Sequence, residues 1–234
     1  MPGTAGTPPV RKVAPAVRQL MAEVEALRAF GEDRAVRVLV VNLDERSVLL
    51  ERITPGTTLA ASASEDQALR VVAELFSTGW PPVPLASIAT PLEDFLPAFS
   101  APAFTRARAI FSELLADSPP AVLLHGDLHY ENILRSDRAG HLLIDPKGMI
   151  GDPAFDIGYL VSRPLPSARD ALPLAQAIDR RLAFLPDALG LDATRVASFA
   201  YVAAALSVAW AREDGDANVN LFEDAVRVLE PRVR

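Results

Sequence analysis

Two hydrophobic patterns alternate in the first half of the chain, and one takes over in the second. Val10–Val13, Val36–Val41 and Val48–Glu51 are short apolar runs of strand length, and Asp44–Ser47 between the last two reads as a hairpin turn. Val17–Phe30 instead places Val17, Leu20, Met21, Val24 and Leu27 at helical spacing and stops at Gly31. Glu65–Ser77 and Phe104–Leu115 predict two further helices. Between them Trp80–Pro102 carries six prolines, which predicts a surface wrap with short helical pieces such as Pro91–Leu96. Ala121–Leu124 and Leu142–Ile144 are continuous apolar runs, with a short strand from Ile133 and a turn at Ser136–Gly140 between them. Asp152-Pro153 then predicts a helix start, with Asp at the cap and Pro in the first turn. Ala171–Leu185, Thr194–Arg212 and Leu221–Leu229 predict three more helices, and Glu213–Asp216 an acidic turn. Mixed strands with one helix, followed by a helical body around a central β-unit, make an α+β fold.

Composition narrows the class. Half of the 234 residues are hydrophobic and 23% are charged, a globular balance. The net charge of −7 disfavours nucleic acid as a partner and suits cationic small molecules. No cysteine is present, which excludes a disulfide framework and a thiolate zinc site and fits a reducing compartment. The first twenty residues lack the apolar core of a signal peptide, and Met1–Pro9, rich in Pro, Gly and Thr, reads as disordered. Val196–Ala211 is shorter than the roughly 20 residues of a membrane span and carries Ser198 and Ser207, so a buried helix is expected, and with it a cytoplasmic protein without membrane contact.

The candidate chemistry is concentrated in Leu123–Asp156. Strand, polar loop and strand bring Asp127, Asn132 and Asp145 to one end of a small hairpin-like unit. A carboxylate and a neutral amide oxygen suit a hard cation such as magnesium, while Asp127, set back in the loop, is free to accept a hydroxyl proton. Phosphoryl transfer from a nucleotide needs that division of labour. His125, Asp127 and His129 also spell a His-x-Asp-x-His set, which would read as a zinc hydrolase cluster if the segment were a strand.

His125-Gly-Asp127-Leu-His-Tyr-Glu-Asn132 resembles the catalytic loop of the aminoglycoside phosphotransferase branch of the protein-kinase-like fold. Asp145-Pro-Lys-Gly-Met-Ile-Gly-Asp152-Pro-Ala-Phe-Asp156 is similar to the streptomycin 6-kinase and hydroxyurea phosphotransferase subgroup. The resemblance implies a two-lobed fold with a truncated N-terminal β lobe: residues 10–53 as a partial nucleotide lobe and 54–234 as the catalytic and substrate lobe. It implies ATP and Mg2+ as cofactors and a small, cationic, hydroxyl-bearing substrate. Asp127 would be the catalytic base, and Asn132 and Asp145 the metal ligands. Lys12 would contact the nucleotide phosphates, and Glu23 would pair with it, with Glu25 as a competitor. Glu51, Arg52 and Ile53 would meet the adenine, and His125 and Asp156 would brace the loop. Carboxylates at Glu213, Asp214 and Asp216 would hold substrate cations. The motifs cover Lys12 to the C-terminus, and the strands and covering loop that such enzymes place ahead of the lysine have no counterpart among the eleven residues before it. A shortened, inactive binding protein is therefore the alternative expectation.

Overall fold

The computed structural model describes residues 8–163, 172–217 and 219–233. It opens with β1 (Val10–Val13), α1 (Val17–Phe30), β2 (Val38–Asn42) and β3 (Ser47–Leu50). The strands form an antiparallel sheet in the order β1-β3-β2, with Val10 opposite Leu50 and Val13 opposite Ser47. The face of α1 that carries Leu20, Val24, Leu27 and Phe30 is buried, as its spacing predicts.

β4 (Pro55–Thr58), α2 (Leu59–Ser62) and α3 (Glu65–Leu75) follow. Ser64 starts α3 with a capping box, its side chain and that of Gln67 each accepting the other's backbone N–H. The proline-rich stretch contributes β5 (Thr90–Pro91) and two 3-10 turns, Leu92–Phe99 and Pro102–Phe104, and leads to α4 (Thr105–Ala116).

The central unit is more divided than the sequence suggests. β6 (Val122–Leu124) does not join the hairpin of β7 (Ile133–Ser136) and β8 (Gly140–Leu143). It pairs with β9 (Met149–Gly151), which β5 joins in parallel, while β7 and β8 take β4 as their third strand. The polar loop after β6 thus crosses from one sheet to the other. Ile144 falls outside β8, and its N–H goes to the Asn132 carbonyl at 3.0 Å. The chain between α1 and β2 is stitched onto β8, with Leu143 N–H donating to Arg34 O (2.8 Å) and Val36 N–H to Leu143 O (3.0 Å).

The helical body is α5 (Ala154–Ser162), α6 (Leu174–Leu189), α7 (Ala193–Asp214) and α8 (Val219–Leu229). All nine residues of α5 are buried, and it packs against α7 through an edge-on Phe155–Phe199 contact at 5.9 Å. α7 is long and apolar enough to cross a membrane, and 72% of its apolar window is buried among α4, α5, α6 and α8. Several helix limits differ from the expected ones: α3 stops at Leu75, α6 starts at Leu174 and α8 at Val219. α6 runs on to Leu189 despite Pro186, and Glu213 and Asp214 close α7 instead of forming a turn. Residues 1–7 of the expected disordered segment, and residue 171 of the expected helix, lie outside the described residues.

Candidate active site

The loop after β6 is held by three groups. Asp156, fully buried on α5, accepts the N–H of His125, the N–H of Gly126 and the indole Nε1–H of Trp80, each at 2.8 Å. Burial pushes its carboxyl up to about 6, against the pull of those donors. His125, also fully buried, donates from Nε2 to the Ile144 carbonyl (3.0 Å) and accepts the Asp127 N–H at Nδ1 (3.2 Å), while its own carbonyl accepts from Lys147 N–H (2.7 Å). Gly126 lies at φ +80, and a Cβ there would stand 2.4 Å from Met149 Sδ, so the loop passes where only glycine fits.

With both ring nitrogens bound to backbone, His125 is a brace rather than a ligand. Among the described residues no three His, Asp or Glu side chains gather as a metal cluster, so the zinc-hydrolase set does not assemble. Burial lowers the His125 pKa to about 4. A neutral imidazole therefore stabilises the fold fully above the unfolded value near 6.5, and that contribution is lost as pH falls toward 4. We expect the stability advantage of the native chain over His125→Asn to shrink by about 3 kcal/mol between pH 7 and pH 4. Urea unfolding at the two pH values checks this, and a constant difference would count against it.

Asn132, on a 3-10 turn ahead of β7, donates its amide nitrogen to the Asp127 carbonyl at 2.9 Å, which leaves the amide oxygen as an acceptor. The main-chain bond from Ile144 to Asn132 ties the chain just before Asp145 to this turn. Asp145 sits in the left-handed region (φ 55), which costs a non-glycine residue on the order of 1–2 kcal/mol. Gly148 follows at φ +65, and a Cβ there would be 2.4 Å from the Ala22 carbonyl oxygen, so α1 rests directly on this loop's main chain.

Charges converge from three elements. Lys12 on β1 donates to both oxygens of Glu23 at 2.9 Å and makes a short contact with Asp145. Lys147 reaches Asp145 (3.2 Å) and Asp127 (3.4 Å). Burial alone would raise the Asp145 carboxyl, but Lys12 and Lys147 outweigh it and hold it below the usual aspartate value. Glu23 moves the other way, because burial outweighs Lys12. Glu25 is engaged elsewhere, with Ser87 and the Ile88 N–H, so Glu23 is the partner of Lys12.

Lys12, Glu23, Asp127, Asp145 and Lys147 line one cleft of about 680 Å³. Its far wall is aromatic, with Phe95 and Trp210 edge-on at 5.6 Å, and includes Tyr159 and Arg163. None of these wall residues was singled out from sequence: Phe95 lies in the stretch read as a surface wrap, and Tyr159 in the helix expected after Asp152-Pro153. Asn132 stands behind the lining, buried. Glu51, Arg52 and Ile53 are not part of this lining. Glu51 is taken by Arg138 and the Arg37 N–H, Arg52 bonds the Pro8 carbonyl, and Ile53 packs on the core. Glu213, Asp214 and Asp216 are exposed at the end of α7, outside the lining as well.

The donor set at Asp145 and Asn132 is all oxygen, and Asp145 already draws two ammonium groups, so the residues present fit a hard divalent cation.

Over 92% of its length the chain is 30% identical to the streptomycin 6-kinase of Streptomyces glaucescens, covering 74% of that protein. A choline kinase from Streptococcus pneumoniae superposes with a TM-score of 0.66 at 18% identity, over 95% of this chain and 86% of the other. An aminoglycoside phosphotransferase from Streptomyces rimosus, solved with ADP and streptomycin, superposes with a TM-score of 0.60 at 20% identity, over 84% and 86%. These two likenesses establish a protein-kinase-like α+β fold. Residues 3–215 match the family described as aminoglycoside/hydroxyurea antibiotic resistance kinase, a span that starts ahead of the Lys12 limit drawn from the motifs. The chain belongs to that family of phosphotransferases.

Proposed function

We propose that the protein transfers the γ-phosphoryl group of ATP to a hydroxyl of a small molecule, with a streptomycin-like aminoglycoside as the first acceptor to test. The observation that carries this is the meeting of Asp127, Asp145 and the Lys12–Glu23 pair in one cleft. Asp127 takes the proton of the acceptor hydroxyl as its oxygen bonds to the γ-phosphorus and the bond to the β-bridging oxygen breaks, releasing ADP. Lys12, oriented by Glu23, binds phosphate oxygens once nucleotide displaces Asp145 from it. Asp145 and the amide oxygen of Asn132 would hold Mg2+, which when bound neutralises phosphate charge. His125 and Asp156 keep the loop in register, as their buried hydrogen bonds indicate. In this reading residues 10–53 serve the nucleotide and 54–234 the acceptor and the chemistry.

The test is ADP formation from Mg·ATP with and without streptomycin. Acceptor-dependent ADP release, abolished by a chelator, is the expected result. Asp145→Asn should raise the KM for Mg·ATP at least tenfold by removing the anionic ligand. Nucleotide binding that ignores both magnesium and this substitution, with no ADP formed, would mark a binding protein instead.

A further inference from the structure

The half-buried side chain of Arg163 lines the cleft beside Asp127, and its guanidinium is not fully hydrogen-bonded. Its Nε is buried with no hydrogen bond among the described residues. Its NH2 lies 3.9 Å from Asp127 Oδ1, beyond hydrogen-bond reach. Its plane is fixed by two aromatic faces, with Tyr159 4.2 Å and Phe222 4.9 Å from the guanidinium carbon. Its carbonyl accepts from Arg181 at 2.6 Å, so the backbone is held too. A planar donor fork whose Nε is buried without a partner, stacked between two rings and only loosely paired with Asp127, has donor capacity left for a ligand.

The geometry points to Arg163 as an acceptor-binding residue that donates to an oxygen next to the hydroxyl presented to Asp127. This rests on the phosphotransferase reading above. A hydroxyl seated on the Asp127 carboxylate places its neighbouring substituent against the guanidinium, about one functional group away. That substituent is then a neutral or anionic oxygen, such as a hydroxyl, ether, carbonyl or carboxylate, because an ammonium group there would meet like charge. Cationic groups of an acceptor are therefore directed away from Arg163, and the phosphorylated position belongs to an oxygen-rich face of the molecule.

Steady-state kinetics of Arg163→Met and Arg163→Lys, with streptomycin as the probe acceptor, test the assignment. Methionine keeps the apolar stack on Tyr159 and Phe222, and thermal unfolding confirms the fold. Arg163→Met should raise the KM for streptomycin tenfold or more and leave the KM for ATP within about twofold. Arg163→Lys, which keeps the charge without the fork, should recover part of the loss. Unchanged streptomycin kinetics in Arg163→Met overturn the assignment, and so does a KM increase confined to ATP. A native chain that forms no ADP with streptomycin or with hydroxyurea as acceptor overturns the phosphotransferase reading itself.

Discussion

Asp127→Asn is expected to reduce kcat for phosphate transfer by about 10³-fold while binding of Mg·ADP stays within about threefold. Asparagine keeps the size of the side chain, and the loop is held by backbone bonds to His125 and Asn132 that do not use the carboxylate. What disappears is a group able to take the hydroxyl proton. Lys147 loses one of two carboxylate partners and keeps Asp145, so the phosphate side of the cleft retains its charges. Stopped-time transfer assays and calorimetry with Mg·ADP separate the two effects. Full turnover in the variant would remove Asp127 from the chemistry.

The second large effect concerns stability. Arg181 is wholly buried and pairs with Glu65, Nε to Oε1 at 2.7 Å and NH2 to Oε2 at 3.2 Å. Its NH1 also meets the carbonyls of Leu160, Val161 and Arg163, and Tyr130 of the loop after β6 donates to Glu65 Oε1 at 3.3 Å. Arg181→Met leaves a buried carboxylate without its counter-ion and should destabilise the protein by about 3–5 kcal/mol. For a chain of this size that is a fall in Tm of roughly 10 °C. Adding Glu65→Leu removes the stranded charge and should restore part of the loss. The pair is shielded from solvent, so moderate salt should change little. If the double variant is no more stable than the single one, the stranded charge is not the cause.

Asp127 and Asp145 line one cleft, as their order along the loop and strand exit suggests, whereas Asn132 between them stands behind it. Lys12 and Glu23 could not be paired by sequence alone, because Glu25 is two residues away on the same helix. The choice was made by Ser87 and Ile88, which capture Glu25 from the proline-rich wrap. Arg163 and Arg181 were missed because an arginine defaults to the surface. A signal existed for Arg181, since Ala177, Ile178, Arg181 and Leu185 share the buried stripe of α6. Glu65 likewise begins the stripe of Ala68, Leu69 and Val72 on α3. The split of the central unit between two sheets was not readable, because β6 finds its partner only after an intervening hairpin.

The seat of α1 on Gly148 has a consequence for how such a cleft can be altered. The spacing between Glu23 and Asp145 is set by carbonyl against glycine, not by the lysine that joins them. Discharging that lysine would leave two acids facing each other, with the glycine–carbonyl contact as the limit on how closely α1 can approach. Any side chain at position 148 would wedge α1 and its Glu23 away from Asp145 and widen the mouth between them.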